Sequence, residues 1–244
     1  MKLPLEPIES ISLKDACMLR LEAMILAGDF QPGERLPSER NLAAKLGVSR
    51  PVLHQAIVAL DAKGLVQIEA RRGVFVRDYR QDGSIALLTT LIEHSTGDYT
   101  PQLLSSLIAA RTLIERETAR LAASNASQED MLALITLVKD GGAIPQENIH
   151  ALVVYDFTFH QRIAILSGNL MYPLLINSLK NVHTNLAGSF YRAYAGSPVI
   201  DDVFAYHTDL VAAIQDKQVE RAGEIMTAML EHGEEHLLRV LPQD

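Results

Sequence analysis

At 244 residues, with 48% hydrophobic content and a single cysteine, the chain is long enough for two modest domains with real cores, which excludes a disordered polymer and a disulfide-stapled scaffold. No apolar run approaches the roughly 18 residues of a membrane span, and the start MKLPLEPIES lacks the basic-then-apolar layout of a secretory signal, so a cytoplasmic protein is expected. The net charge of −8 is uneven: residues 1–78 hold 11 Lys/Arg against 10 Asp/Glu, whereas residues 79–244 hold 11 against 20, so a basic contact surface belongs to the first part.

In chain order, Ile11 to Ala27 predicts a first helix, with Ala16, Leu19, Ala23 and Leu26 at helical spacing and Cys17 packed and inert. Ser38 caps a second helix through Arg40, Leu42, Ala43 and Leu46, which Gly47 stops in the left-handed conformation. Ser49 caps a third, with Pro51 tolerated in its first turn, Val52, Ala56, Ile57 and Leu60 on its apolar face, and Gly64 at its end. Leu65 to Ile68 and Val74 to Val76 read as paired strands joined through Ala70, Arg71, Arg72 and Gly73. Helix–turn–helix followed by a hairpin describes a winged helix-turn-helix over 1–78. The polar run 79–84 reads as a linker. From 85 to 244 the spacing predicts an all-α bundle, with helices over 85–95, 101–124, 127–139, 148–167, 169–194, 200–216 and 218–241. The fold class is mostly α.

The order and spacing of PG-x-x-LPSER, L-x-x-LGVSR and GL-x(6)-RG-x-FV resemble the DNA-binding domain of the GntR family of bacterial transcription regulators, over nearly all of residues 10–78. The second half is similar to the ligand-binding domain of the FadR subfamily, known as FCD. The matching features are Arg111-x-x-x-Glu115, Asp156-x-x-x-His160, Ser167-Gly168-Asn169 and Tyr206-His207. The resemblance implies that Arg40, Ser49, Arg50, His54, Arg71, Arg72 and Gly73 contact double-stranded DNA. Position 54, where the family often has Arg, is a departure. Physics agrees for Arg50 and His54, which lie one turn apart on a helix, and a guanidinium can bind guanine O6 and N7 bidentately. Each arginine taken alone also reads as a solvated surface charge.

Asp156 and His160, four apart, share a helical face, and with His207 and His232 they form a donor set suited to Zn²⁺, Ni²⁺ or Mn²⁺. The resemblance implies a last histidine about six turns after His207; here that position is Met229, with His232 nearly one turn further along. The competing reading is a set of hydrogen-bonded core histidines without a metal. His183 reads as a polar pocket or surface residue, and His94 and His150 as surface positions. Arg111, beside Ala109, Ala110 and Leu113, either pairs with Glu115 or another acid, or receives an effector carboxylate. Tyr172, Tyr191 and Tyr206 are expected at the effector site.

The expected protein is a homodimeric, ligand-responsive transcription regulator acting on a near-palindromic DNA operator. Its effector is a small carboxylate, with a divalent metal assisting, or alternatively an acyl thioester bound without metal, as in a fatty-acid-responsive branch of the subfamily. An enzyme built on the same Asp and His residues is the rival from another class. Nothing in the sequence supplies a nucleophile with a positioned base or a phosphate-cradling glycine loop, so no enzyme is expected.

Overall fold

The computed structural model describes residues 11–84, 87 and 101–240, the side chains of 101–103 excepted, and divides into two compact units at His94/Ser95. The helix expected over 85–95, His94 included, lies outside the described residues apart from Leu87.

In the first unit, Ser12 accepts the Asp15 amide and starts α1 (Leu13–Leu26). The buried stripe of α1 is Cys17, Leu21 and Ile25, whereas Ala16 is exposed and Leu19, Ala23 and Leu26 are only half-buried, so the face turned inward is rotated from the one expected. That face also carries Glu22, fully buried and ion-paired with Lys63 at 3.1 Å. An apolar pattern cannot anticipate a buried carboxylate whose partner lies 41 residues away. Cys17 is buried as expected, and burial pushes its thiol up, which disfavours the reactive thiolate.

Ser38 caps α2 (Glu39–Leu46), and Gly47 ends it with φ 68°. Ser49 occupies the start of α3 (Arg50–Ala62), yet its side chain makes no capping bond. Leu53 joins Ala56, Ile57 and Leu60 in the core, while Val52 is half-buried. Strands β1 (Val66–Glu69) and β2 (Gly73–Val76) pair antiparallel, with Val66 opposite Val76 and Glu69 opposite Gly73. The approach to α2 adds to the other edge of β2: Gly33 donates to the Val76 carbonyl at 2.8 Å, and Leu36 donates to that of Val74 at 2.9 Å. This satisfies backbone groups that an open edge would leave free.

The expected linker 79–84 is instead tied to the first unit. It contains α4 (Tyr79–Asp82), and the Ser84 amide donates to the Lys63 carbonyl at 3.1 Å. Gly64, with φ +80°, makes this possible, since a Cβ there would lie 2.0 Å from the Asp82 carbonyl oxygen. The boundary therefore falls later than residue 78.

Every regular element among the described residues of the second unit is a helix: α5 (Pro101–Asn125), α6 (Gln128–Gly142), α7 (Ile149–Leu166), α8 (Tyr172–Ser178), α9 (Lys180–Tyr194), α10 (Pro198–Gln215) and α11 (Val219–Val240). The single helix expected over 169–194 is two, divided at Leu179. α5 and α11 pack along one another, and α7 touches α5, α6, α8 and α9. Its buried residues accordingly cover a little over half of its circumference, from Leu152 to Leu166, with Val154 and Ile165 exposed on the remaining face. No helix among the described residues is long and apolar enough to cross a membrane.

Neighbouring glycines at the end of α6 give a contrast. A Cβ on Gly141 would lie 2.1 Å from the Tyr155 ring of α7, whereas one on Gly142 meets nothing within 4 Å. Gly141→Ala should therefore cost about 1–2 kcal/mol of overpacking, while Gly142→Ala should be neutral or gain up to about 1 kcal/mol from helix propensity. Denaturant titration of both variants checks this; equal effects would mean that the Tyr155 ring yields freely.

Candidate functional site

Four helices of the second unit converge on one cluster. α7 places Asp156 and His160 on the same face, α10 contributes His207, α9 contributes His183 and Tyr191, and α5 contributes Arg111 and Glu115. Asp156, His160 and His207 each offer a donor atom, and the three atoms lie within 4.8 Å of one another. All three residues are buried.

Each has a partner that fixes its orientation. Asp156 accepts from Tyr191 Oη at 3.0 Å and from His183 Nε2 at 2.7 Å. His160 Nδ1 is hydrogen-bonded to Glu115 Oε2, and Glu115 Oε1 accepts from Arg111 Nε at 2.5 Å. His207 Nδ1 meets Tyr155 Oη at 3.0 Å. His207 Nε2 is buried with no hydrogen bond, 3.8 Å from Asp156 Oδ1. With Nδ1–H donated to Tyr155, that orphaned nitrogen presents a lone pair to the cluster.

The electrostatics favour the ligand form of Asp156 and of His207. Burial alone would raise the Glu115 carboxyl, but Arg111 and His160 outweigh it and hold it well below the carboxylate range. Burial is likewise outweighed at Asp156 by the hydrogen bond and charge of His183 and by the other two imidazoles, so it too is held low. Burial pushes His207 down to about 3 against the pull of Asp156, which keeps the imidazole neutral. Burial and the Asp156 charge raise both tyrosine hydroxyls, so they remain protonated.

The cluster lines a cavity of about 110 Å³ whose remaining wall is mainly apolar, with Ile108, Phe157, Val182 and Met229 among its residues. Arg111 both pairs with Glu115 and lines this cavity. Of the three tyrosines expected here, only Tyr191 arrives. Tyr172 packs against the Phe157, Ala164 and Ile176 cluster without itself lining the cavity, and Tyr206 packs against the main core and the His232 ring.

His232 is not brought to the cluster. Three residues of helix turn the side chain by about 60° and advance it about 4.5 Å relative to position 229. Its Nε2 instead faces the Val199 carbonyl at 3.4 Å, and its ring lies 4.4 Å from that of His236. At the cavity α11 presents Met229 in the expected histidine's place, together with Leu230, Gly233, Glu234 and Leu237. Sequence reasoning did not assign Tyr155 or His183 to the site. Tyr155 precedes Asp156 on an otherwise apolar stretch, and no periodicity marks His183; only the packing of α9 on α7 and the side-chain contacts of α10 with Tyr155 reveal them.

In the first unit, Arg40, Ser49, Arg50 and His54 are all exposed on α2 and α3 and the turn between them. The Ser49 hydroxyl is not used in capping. His54 Nδ1 lies 3.2 Å from Glu39 Oε1, so the imidazole masks an acidic group on the same surface. At the hairpin tip Arg71 is exposed with φ 63°, while Arg72 is ion-paired with Glu69 at 2.5 Å and its guanidinium lies 5.5 Å from the Phe75 ring centre. Gly73 leaves room for the Arg35 side chain, whose Nε would lie 2.6 Å from a Cβ there. Arg35 thus adds a cation to the wing that the sequence reading passed over.

Comparison with known proteins follows this division. The pattern of bacterial regulatory proteins of the gntR family matches residues 13–76, and that of the FCD domain matches residues 106–232. The fatty acid metabolism regulator protein of Yersinia enterocolitica is 30% identical over 166 residues, 66% of this chain and 65% of its own length. The HTH-type transcriptional regulator Mce2R of Mycobacterium tuberculosis is 34% identical over 125 residues, 51% of this chain and 52% of its own. The chain thus spans less than two thirds of each of these relatives. Among solved structures, the Listeria protein Lar, described as controlling expression of the agr system, superposes with a TM-score of 0.57 at 15% identity, covering 96% of this chain and 100% of that one. Escherichia coli McbR/YncC gives 0.50 at 18% identity, covering 94% and 99%. At these identities the likeness is one of fold.

Proposed function

The chain belongs to the gntR family of bacterial regulatory proteins and carries an FCD domain, and on that premise we propose that it is a transcription regulator whose affinity for double-stranded operator DNA is set by a small carboxylate bound with a divalent cation in the helical unit. Its activity is binding, not turnover. The observation that carries the effector reading is the buried convergence of Asp156, His160 and His207 on one small cavity, with His207 Nε2 left unbonded.

The donor set fits a cation of the Zn²⁺, Ni²⁺ or Mn²⁺ class: one carboxylate and two imidazoles, each oriented from behind by a hydrogen bond. When bound, such a cation supplies positive charge at the cavity, to which a carboxylate adds its oxygens. The protein's own groups do the rest. Glu115 fixes the His160 ring, Arg111 balances the Glu115 charge, and Tyr155 fixes His207. The apolar wall keeps water from competing. A cavity of about 110 Å³ suits a molecule of a few heavy atoms, since an engineered cavity of about 150 Å³ takes up benzene.

A coupling of about 1–3 kcal/mol between this site and the DNA surface would change operator affinity about 5- to 150-fold. The near-neutral charge of residues 1–78 gives each subunit modest phosphate affinity, so the reading includes a homodimer on a near-palindromic operator.

The relative named fatty acid metabolism regulator favours a second reading, in which an acyl thioester binds without metal. Metal analysis and operator titrations, with and without chelator, separate the two. The expected result is one cation per subunit, with the response to small carboxylates abolished by chelation and restored by adding the metal back. Metal-free protein that responds to long-chain acyl thioesters would establish the second reading instead. Sedimentation at micromolar concentration should show a dimer.

A further inference from the structure

We propose that His183 is the third imidazole of the cation site, so that the protein's complete donor set is Asp156, His160, His183 and His207. This rests on the cation reading given above and goes beyond the three residues that support it.

Three donors leave even a tetrahedral shell one short, and cations of this class also accept five or six ligands, so an element facing the cluster can supply a fourth donor and still leave room for the effector's oxygens. α11 lines the cavity with Met229, whose soft thioether suits copper(I) rather than Zn²⁺, Ni²⁺ or Mn²⁺, and with Glu234, whose side chain is only half-buried, while His232 is turned toward Val199. α5 offers Glu115, but both its carboxylate oxygens are engaged, one by Arg111 and one by His160. α9 offers His183. This residue is buried, lines the same cavity, and places Nε2 2.7 Å from Oδ2 of Asp156. Its ring centre is 5.5 Å from that of His160, comparable with the 6.0 Å between His160 and His207.

The His183–Asp156 hydrogen bond marks where two ligand atoms face each other across space that a cation would share. Two ligand atoms of a tetrahedral shell with bonds of about 2.0–2.1 Å lie about 3.3 Å apart. Opening the pair from 2.7 Å to that separation requires a small rotation of the imidazole and transfer of its proton to Nδ1. The competing role for His183 is that of a donor that merely orients Asp156, as Tyr191 does.

Cobalt(II) replaces cations of this class and shifts the ring N–H resonances of coordinated imidazoles far outside the ordinary proton spectrum, one exchangeable signal per histidine ligand. The full-length protein loaded with one equivalent of Co²⁺ should show three such signals, and His183→Asn, which retains a hydrogen-bond donor for Asp156, should show two. Two signals in the unsubstituted protein, or the same number in protein and variant, would overturn the assignment while leaving the cation site standing. Failure of the unsubstituted protein to take up Co²⁺ in stoichiometric amount would overturn the cation reading and this assignment with it. The count in the unsubstituted protein does not depend on whether the variant folds.

Discussion

Glu115→Ala is expected to lower the stability of the helical unit by about 3–5 kcal/mol, the cost of breaking a buried ion pair from one side. The carboxylate is 2% exposed, and its two oxygens serve Arg111 and the His160 ring, so its loss strands a guanidinium and an imidazole N–H together. Glu115→Gln should cost less, because one oxygen can still accept while the amide meets the guanidinium as a mismatched donor. Replacing Arg111 by Met in the Glu115→Gln background should recover part of the deficit, since removing both charges removes the uncompensated one. Denaturant unfolding of chelator-treated protein reads all three. A loss under about 1 kcal/mol for Glu115→Ala would show that water reaches the pair and that it does not anchor His160.

Arg50→Ala is expected to weaken operator binding by about 1–3 kcal/mol, or roughly 5- to 150-fold, with lost preference at one base-pair position. Arg50 is exposed at the first position of α3, beside a serine whose hydroxyl is not used in capping. The wing should behave differently. Arg71→Ala should reduce the slope of log K against log salt by about 1, and Arg72→Ala by less, because Arg72 already neutralises Glu69 and lies against Phe75. Equal losses for Arg50→Ala on operator and unrelated DNA would make Arg50 a phosphate contact. An unchanged slope in both wing variants would remove the hairpin from the backbone contact.

Local chemistry made much of this architecture legible. Ser38, Gly47 and Gly64 mark element ends through capping and through φ values that other residues resist, so the first unit could be read almost element by element. The inward face of α1 could not be read, because Glu22 sits on it, ion-paired with Lys63, which arrives from the end of α3. The break between α8 and α9 falls at Leu179, a good helix former, with no Pro or Gly to announce it. At the candidate site, Asp156 and His160 were legible because one helix carries both. His207 was suggested by resemblance. Tyr155 and His183 were not legible, since their roles exist only once α9 packs on α7 and α10 brings His207 to Tyr155, and His232 was misplaced because proximity in sequence to position 229 says little about direction from a helix.

The Gly141–Tyr155 contact also bears on how this sequence can drift. The ring that fills the space beside Gly141 is the one whose hydroxyl holds His207, so position 141 cannot gain a side chain without disturbing a group two helices away. Among descendants of this chain the two positions should change as a pair. Lineages that keep a tyrosine at 155 should keep glycine at 141, and those in which 155 has become small and apolar should admit alanine or serine at 141 and lose the hydroxyl behind His207. The residue at 141 would then report, in a bare sequence, whether the site at 207 still has its support.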